Sequence, residues 1–422
     1  MLLISVAAGI LVGVIAGLLP GVHVNNTSAI LLGLSPGILA AGVAPFYVAV
    51  AIIASTISQS FLDIIPSIFL GAPDEDTAMA VMPGHRMLLQ GRGIEAIRLS
   101  AIGSSLSICI SMVLLLPLAF FFNTFYGQIQ EHMALILIGI SAIVLLSNGI
   151  GDMLPDRREK IKRIAWALSI FLASGFLGIT AFRLDPLLSP IINISGGDML
   201  LPLLSGLFGA PALLFSLGMK PNVPGQRDGE VMMDGREVLR GAFWGSTAGA
   251  LVSWFPGVSS GVATTLTGLF SKKRDEWADR RFIVSVSGVN TSGAIFSLVA
   301  LFIIMRPRSG AVAAAQELLG GEISMDMFML FLLVICAAGV VSYIMTVAAG
   351  SRAAIICSRI DYGLMNGSVL LFLASMCFAM TGFLGTIVFL IATLIGVVPH
   401  IMEIRKTCLM GVLLVPCILY FI

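Results

Sequence analysis

The sequence predicts an all-α polytopic integral membrane protein, a single membrane domain over residues 1–422. It predicts roughly ten to twelve transmembrane helices in two inverted-topology repeats, with broken or re-entrant helices. Three observations carry this. Hydrophobic residues make up 58% of the chain and charged residues 11%, against about 25% charged in a soluble domain. The apolar residues form long continuous runs, not the short alternating segments of a membrane barrel. Polar breaks near the N-terminus recur later in the chain at a fixed offset.

The runs fall at 2–19, 28–42, 44–71, 99–122, 132–150, 164–182, 199–217, 238–255, 282–304, 326–349, 366–380, 382–398 and 408–422, with a shorter stretch at 258–270. A spanning helix needs roughly 20 mostly apolar residues. Shorter pieces beside Pro and Gly fit half-helices or re-entrant segments. Residues 1–19 have no basic n-region and are read as a first membrane helix rather than a signal peptide.

Short cytoplasmic loops collect Lys and Arg. Loop 151–163, with Arg157, Arg158, Lys160, Lys162 and Arg163, and loop 271–281, with Lys272, Lys273, Arg274, Arg280 and Arg281, are expected on the cytoplasmic side. Segment 76–98, with Arg86, Arg92 and Arg98, joins them, and 123–131, with no basic residue, is expected outside. Arg306 and Arg308 fall on an outside loop and run against this scheme. The expected location is the plasma membrane, multi-pass.

Several functions are excluded. A net charge of +1 gives no reason to expect nucleic acid as a partner. The cysteines (109, 336, 357, 377, 408 and 417) form no C-x-x-C pair, and with four His they suggest no metal cluster. There is no P-loop, G-x-S-x-G or H-E-x-x-H. The chain is therefore expected to be no enzyme and to carry no cofactor.

Sliding the chain by 236 residues brings Gly9 onto Gly245, Gly13 onto Gly249, Pro20 onto Pro256, Gly21 onto Gly257 and Ser28 onto Thr264. Ser5, Gly9, Gly13 and Gly17 then match Gly241, Gly245, Gly249 and Ser253. Each is a small-residue stripe that lets another helix approach closely. A second match, at an offset of 227, pairs Ser58 with Ser285, Ser60 with Ser287 and Asp63 with Asn290. The first repeat is placed at 1–150, connecting helices at 151–236, the second repeat at 237–390 and a C-terminal helix at 391–422. Residues 76–98 end the first unit inside, whereas 305–324 fall outside, so the units are expected to be inverted.

The polar breaks are where chemistry is expected. Pro20 and Gly21, and Pro256 and Gly257, would interrupt helices, freeing carbonyls on one side and N–H groups on the other. Freed N–H ends favour anions and freed carbonyls favour cations. Asn25, Asn26, Thr27 and Ser28 follow the first break, and Ser259, Ser260 and Thr264 the second. With Asn290 and Thr291 they form the candidate substrate site. Asp63 lies inside an apolar run, where a carboxylate is costly and faces protein or a cavity. Asp63, Ser58, Ser60 and Ser287 are the candidate coupling-ion residues. The same breaks could simply cap helix ends at a surface, and Asp74-Glu75-Asp76 could cap a helix.

Gly17-Leu18-Leu19-Pro20-Gly21 and Gly71-Ala72-Pro73-Asp74-Glu75-Asp76-Thr77, with Pro83-Gly84, Gln90-Gly91-Arg92, Pro256-Gly257 and Asn290-Thr291, resemble the large membrane permease subunit of tripartite tricarboxylate transporters, the TctA family. The resemblance covers most of the chain. It implies a secondary transport permease for a small carboxylate or similar anion, coupled to a cation gradient. It also implies a small membrane subunit and an extracytoplasmic binding protein as partners. The Pro-Gly-x-x-x-x-Thr-Ser-Ala pattern is similar also to translocases of polyprenyl-phosphate lipid carriers, the alternative reading. A lipid would need a basic headgroup site, and the breaks hold hydroxyls and amides with His23 but no Arg or Lys.

Overall fold

Long apolar runs leave the backbone no water to bond, so helices are the form the chain takes. A computed structural model describes residues 1–19, 22–71, 77, 80–149, 157–191, 199–218, 224–227, 231–270, 277–321, 323–357 and 362–422. Among them the regular structure is helical, with no strand. The first part of the chain forms α1 (Leu2–Leu18), α2 (Val24–Ala40), α3 (Pro45–Leu62), α4 (Ile64–Phe69), α5 (Val81–Leu89), α6 (Gly93–Glu131) and α7 (Met133–Leu146). Next come α8 (Arg157–Leu184), α9 (Leu200–Leu204) and α10 (Ala210–Gly218). The second part forms α11 (Gly235–Val252), α12 (Ser260–Phe270), α13 (Ala278–Ile304), α14 (Gly310–Leu319), α15 (Met325–Cys357), α16 (Tyr362–Ile401) and α17 (Gly411–Phe421).

Among the described residues, six helical stretches are long and apolar enough to cross a membrane, and four shorter apolar helices accompany them. The apolar window of Pro45–Phe69 is 94% buried and that of α13 is 72% buried, whereas that of α6 is only 22% buried. So α3, continued by α4, and α13 form the centre, and the outer helices show large apolar side chains such as Leu116, Phe120 and Phe176 to the surroundings. This explains why α3 and α13 tolerate so many hydroxyls. They face protein, and several bond a carbonyl in the preceding turn, as Thr56 does to Ile52 at 2.9 Å and Ser287 to Ile283 at 3.0 Å.

The small-residue stripes pack as such stripes should. A Cβ on Gly9 would lie 2.3 Å from the Ala51 carbonyl oxygen, and one on Gly13 the same distance from that of Ser55. On α11, a Cβ on Gly245 would meet the Ser285 oxygen at 2.2 Å, and one on Gly249 that of Val289 at 2.3 Å. In each pair both residue numbers rise together, so α1 runs parallel to α3, and α11 parallel to α13. Gly9 and Ala51 are 42 residues apart, whereas Gly245 and Ser285 are 40 apart. The contacts thus match the halves with a shortening of two residues, not the nine expected from the offset of 227. The difference of seven is about two helical turns. It keeps the same helix face and changes only the depth: in the contact register Ser58 falls opposite Ser292 and Ser60 opposite Ala294.

Helix directions follow from further contacts. Phe46 stacks on Phe331 and Ser342 bonds Ser58, so α15 runs with α3. Glu95 meets Arg280 and Ser100 meets Ser287, so α6 runs with α13. Gly339 packs on Ile108 and Gly350 on Ile97, so α15 opposes α6. Helices α1, α3 and α15 therefore point one way, and α6, α11 and α13 the other. Because α1 and α3 are parallel, the chain between them must return. The 17 residues of α2 provide about 25 Å of return path at 1.5 Å per residue. So α1 and α2 form a hairpin, as do α11 and α12, and the two hairpins enter from opposite ends of the bundle.

One detail differs from the sequence expectations and another agrees with them. Segment 123–131 is no loop: α6 continues to Glu131, and His132 alone separates it from α7, because a polar stretch can extend a helix beyond its apolar span. The runs 366–380 and 382–398 are, as expected, two helical stretches within α16, separated at Gly382 by a non-helical backbone with φ 70° and ψ −161°. A Cβ there would lie 2.3 Å from the Ser189 carbonyl oxygen.

Candidate functional site

The tips of the two hairpins meet at one cavity of about 190 Å³. The first tip contributes His23, Val24 and Asn25, and the second Ser253, Phe255 and Gly257–Ser260. Thr56 and Ser60 of α3 form one wall, and Asn290, Gly293, Ala294 and Ser297 of α13 the opposite one. Arg308 and Ser309, from the loop between α13 and α14, complete the lining with Leu413 of α17. No carboxylate lines the cavity among the described residues.

Each tip is held by specific bonds. In the first, His23 is the N-cap of α2, and its Nδ1 accepts the Asn25 backbone N–H at 3.1 Å. Gln59 Nε2 of α3 donates to the Val22 carbonyl at 2.5 Å, filling one acceptor freed by the break. Asn25 Oδ1 accepts the Gly310 N–H at 2.8 Å, tying this tip to the start of α14. Pro20 and Gly21, the expected break residues, lie outside the described residues, as does Asp74-Glu75-Asp76.

In the second tip α11 stops at Val252 and α12 begins at Ser260, so Pro256 and Gly257 lie between helices. Gly257 has φ 71°, a left-handed conformation that suits glycine, and it abuts Cys417 and Leu413. Ser253 Oγ donates to the carbonyls of Gly249 and Gly293. Trp254 is fully buried and stacks on Phe122 of α6 at 4.0 Å with the rings nearly parallel. Such contacts make a tip of fixed shape rather than a loose surface loop.

The proposed site residues divide into four groups. Asn25, Ser259, Ser260, Asn290 and Ser60 line the cavity. Asp63 stands behind that lining: Asn290 Nδ2 donates to its Oδ2 at 2.7 Å, and both residues are buried. Asn26, Thr27, Ser28, Thr264 and Thr291 are buried without lining the cavity, and Ser28 Oγ bonds the Val24 carbonyl. The hydroxyls of Thr27, Thr264 and Thr291 find no hydrogen-bond partner among the described residues. Ser58 and Ser287 are interhelical ties, Ser58 accepting from Ser342 at 2.8 Å and Ser287 pairing with Ser100 at 2.7 Å.

Arg308 is the residue that sequence reasoning left out of the site. It donates to the Tyr126 hydroxyl and stands over the Tyr126 ring, 5.8 Å from its centre. Its Nε is buried and finds no partner among the described residues. Desolvation lowers its pKa below the usual guanidinium value, while Tyr126 pulls the other way; a guanidinium keeps its charge regardless. The one signal in the sequence was the misfit of Arg308 with the charge rule for loops. Thr56, Ser253 and Ser297 were also missed, because their hydroxyls look like those of any small-residue membrane helix.

At the other end of α6 and α13 the charges are paired. Arg280 Nε donates to Glu95 Oε1 at 2.7 Å with both side chains buried. Arg86 pairs with Asp279, and Arg281 with Glu237 at 2.5 Å. Arg86, Arg280 and Arg281 of the basic segments thus share one end of the bundle, and the cavity lies at least ten residues farther along α13.

Comparison with known proteins gives a family match over nearly the whole chain. The model described as "Tripartite tricarboxylate transporter TctA family" matches residues 3–411. An uncharacterized protein of Methanocaldococcus jannaschii is 28% identical over 433 residues, covering 100% of this chain and 99% of that relative. No solved structure matches.

Proposed function

The chain belongs to the tripartite tricarboxylate transporter TctA family, and from that premise we propose that it is a secondary permease that binds a small carboxylate between two inverted hairpin tips. The observation that carries this reading is the cavity itself. Both tips line it, one arginine lines it, and no described carboxylate does. Two helix N-termini, those of α2 and α12, begin at its edge, and each contributes a partial positive charge of roughly half a unit. Such a site binds an anion without holding it so firmly that release fails.

The antiparallel arrangement of the α1–α3 and α11–α13 units supports inverted repeats within 1–150 and 237–390, related by an axis in the membrane plane. The contact register makes Thr56 the counterpart of Asn290, and Asp63 that of Ser297, across that axis. Asp63 is the carboxylate nearest the shared wall through its bond to Asn290. We assign it to the coupling cation, sodium or proton, with Ser60 beside it. A small membrane subunit and an extracytoplasmic binding protein would deliver the substrate at the plasma membrane.

The test is gradient-driven uptake of labelled carboxylates by vesicles containing the chain with its partner subunits. Arg308→Gln should abolish saturable uptake at low substrate, and Asp63→Asn should uncouple uptake from the cation gradient. Uptake that is indifferent to both substitutions would refute the assignment. Transfer of a polyprenyl phosphate between leaflets, with no carboxylate uptake, would establish the lipid-carrier alternative instead.

A further inference from the structure

The charge count of the cavity limits what it can carry. Arg308 is the one fixed cation facing it among the described residues. His23 also faces it, but its Nδ1 accepts the Asn25 N–H. An imidazole accepting at one nitrogen is neutral and offers a single N–H at the other. The starts of α2 and α12 add partial charges of roughly half a unit each. The positive supply is therefore about two units. On the far side of Asn290 stands Asp63, one hydrogen bond from the lining, the residue assigned to the coupling cation and so no addition to that supply. The remaining polar lining consists of neutral hydroxyls and amides such as Thr56, Ser260 and Ser297.

We infer, on the reading that this cavity holds the transported anion, that it is built for a carboxylate bearing one or two negative charges and not for a tricarboxylate. One carboxylate takes the Arg308 guanidinium. A second carboxylate is served by the hairpin tips, where Ser259 and Ser260 open α12. A third would be desolvated with no further cation facing it among the described residues, the costly case for a buried charge. The neutral hydroxyls suit a substrate whose remaining substituents are hydroxyls or hydrogens.

Binding of lactate, succinate, malate and citrate to the purified full-length chain in lipid nanodiscs, measured calorimetrically at about pH 7.5, tests this. Succinate, malate or lactate should bind at least tenfold more tightly than citrate. The apparent affinity for citrate should rise as the pH is lowered to about 5.5, where its third carboxyl takes up a proton and the dianion forms. Arg308→Gln should weaken binding of the preferred acid by at least tenfold. Citrate binding at pH 7.5 as tightly as the best of the other three would overturn the charge limit while leaving the anion site standing. Binding of none of the four acids would overturn both the anion site and this limit on it.

Discussion

Replacing Arg308 with Gln removes the one full positive charge that the described residues bring to the cavity lining. A charge-assisted hydrogen bond of a guanidinium to a carboxylate contributes about 1.5–3 kcal/mol. At about 1.4 kcal/mol per tenfold, the loss corresponds to roughly a 10–150-fold rise in the KM for uptake. Folding should change little. Arg308 meets the Tyr126 hydroxyl and ring, no described carboxylate lines the cavity beside it, and removing a partly buried cation also removes its desolvation cost. Arg308→Lys keeps the charge but not the planar fork and should fall between the two. Tyr126→Phe removes only the hydroxyl that orients the guanidinium and should raise KM several-fold. The assay is the initial rate of uptake into proteoliposomes across a range of substrate concentrations, with reconstituted protein quantified in each. A Gln variant with the KM and maximal rate of the parent would refute the role of Arg308 in binding.

Other substitutions test the scaffold. Gly245→Val places side-chain carbon against the Ser285 carbonyl; it should cost at least about 3 kcal/mol by overpacking and lower the unfolding midpoint in detergent. Gly139→Ala, with nothing within 4 Å of its added Cβ, should leave that midpoint unchanged. Glu95→Gln removes the carboxylate from buried Arg280 and should cost about 3 kcal/mol, partly restored in Glu95→Gln/Arg280→Met, as read by thermal unfolding. Trp254→Ala deletes the stack on Phe122 and should destabilise by about 3 kcal/mol; in uptake assays it should lower the maximal rate, because the second tip loses its anchor. Asp63→Asn should leave substrate binding within about threefold of the parent, a shift well under 1.4 kcal/mol, while abolishing the dependence of uptake on the cation gradient.

The sequence carried the architecture because bilayer physics writes it in coarse letters. Long apolar runs, glycines at four-residue spacing and a Pro-Gly at two matched places need no tertiary information to be read. The depth of one half against the other was not legible. Ser58 matches Ser285 in sequence, whereas the helix contacts pair Gly9 with Ala51 and Gly245 with Ser285, a difference of seven residues that preserves the helix face. The site was half legible. Asn25, Ser259, Ser260 and Asn290 announce themselves as polar residues beside breaks, but so do Asn26, Thr27 and Thr264, which the helix phase turns into the protein. Arg308 could not be placed from its neighbours in sequence. Its position depends on Tyr126, 182 residues away at the end of α6.

The meeting of the two hairpin tips is tested most directly by joining them. In a background lacking the six native cysteines, Asn25→Cys and Ser260→Cys would place one thiol on each tip, both facing the same cavity. A short bifunctional thiol reagent applied to membranes should link the pair within the chain, detected by a protease cut introduced in the 219–230 stretch that no longer separates the halves on a denaturing gel. Substrate should slow the reaction, and each single variant should stay unlinked. Absence of the link while both thiols react singly, each from a different side of the membrane, would contradict a shared site.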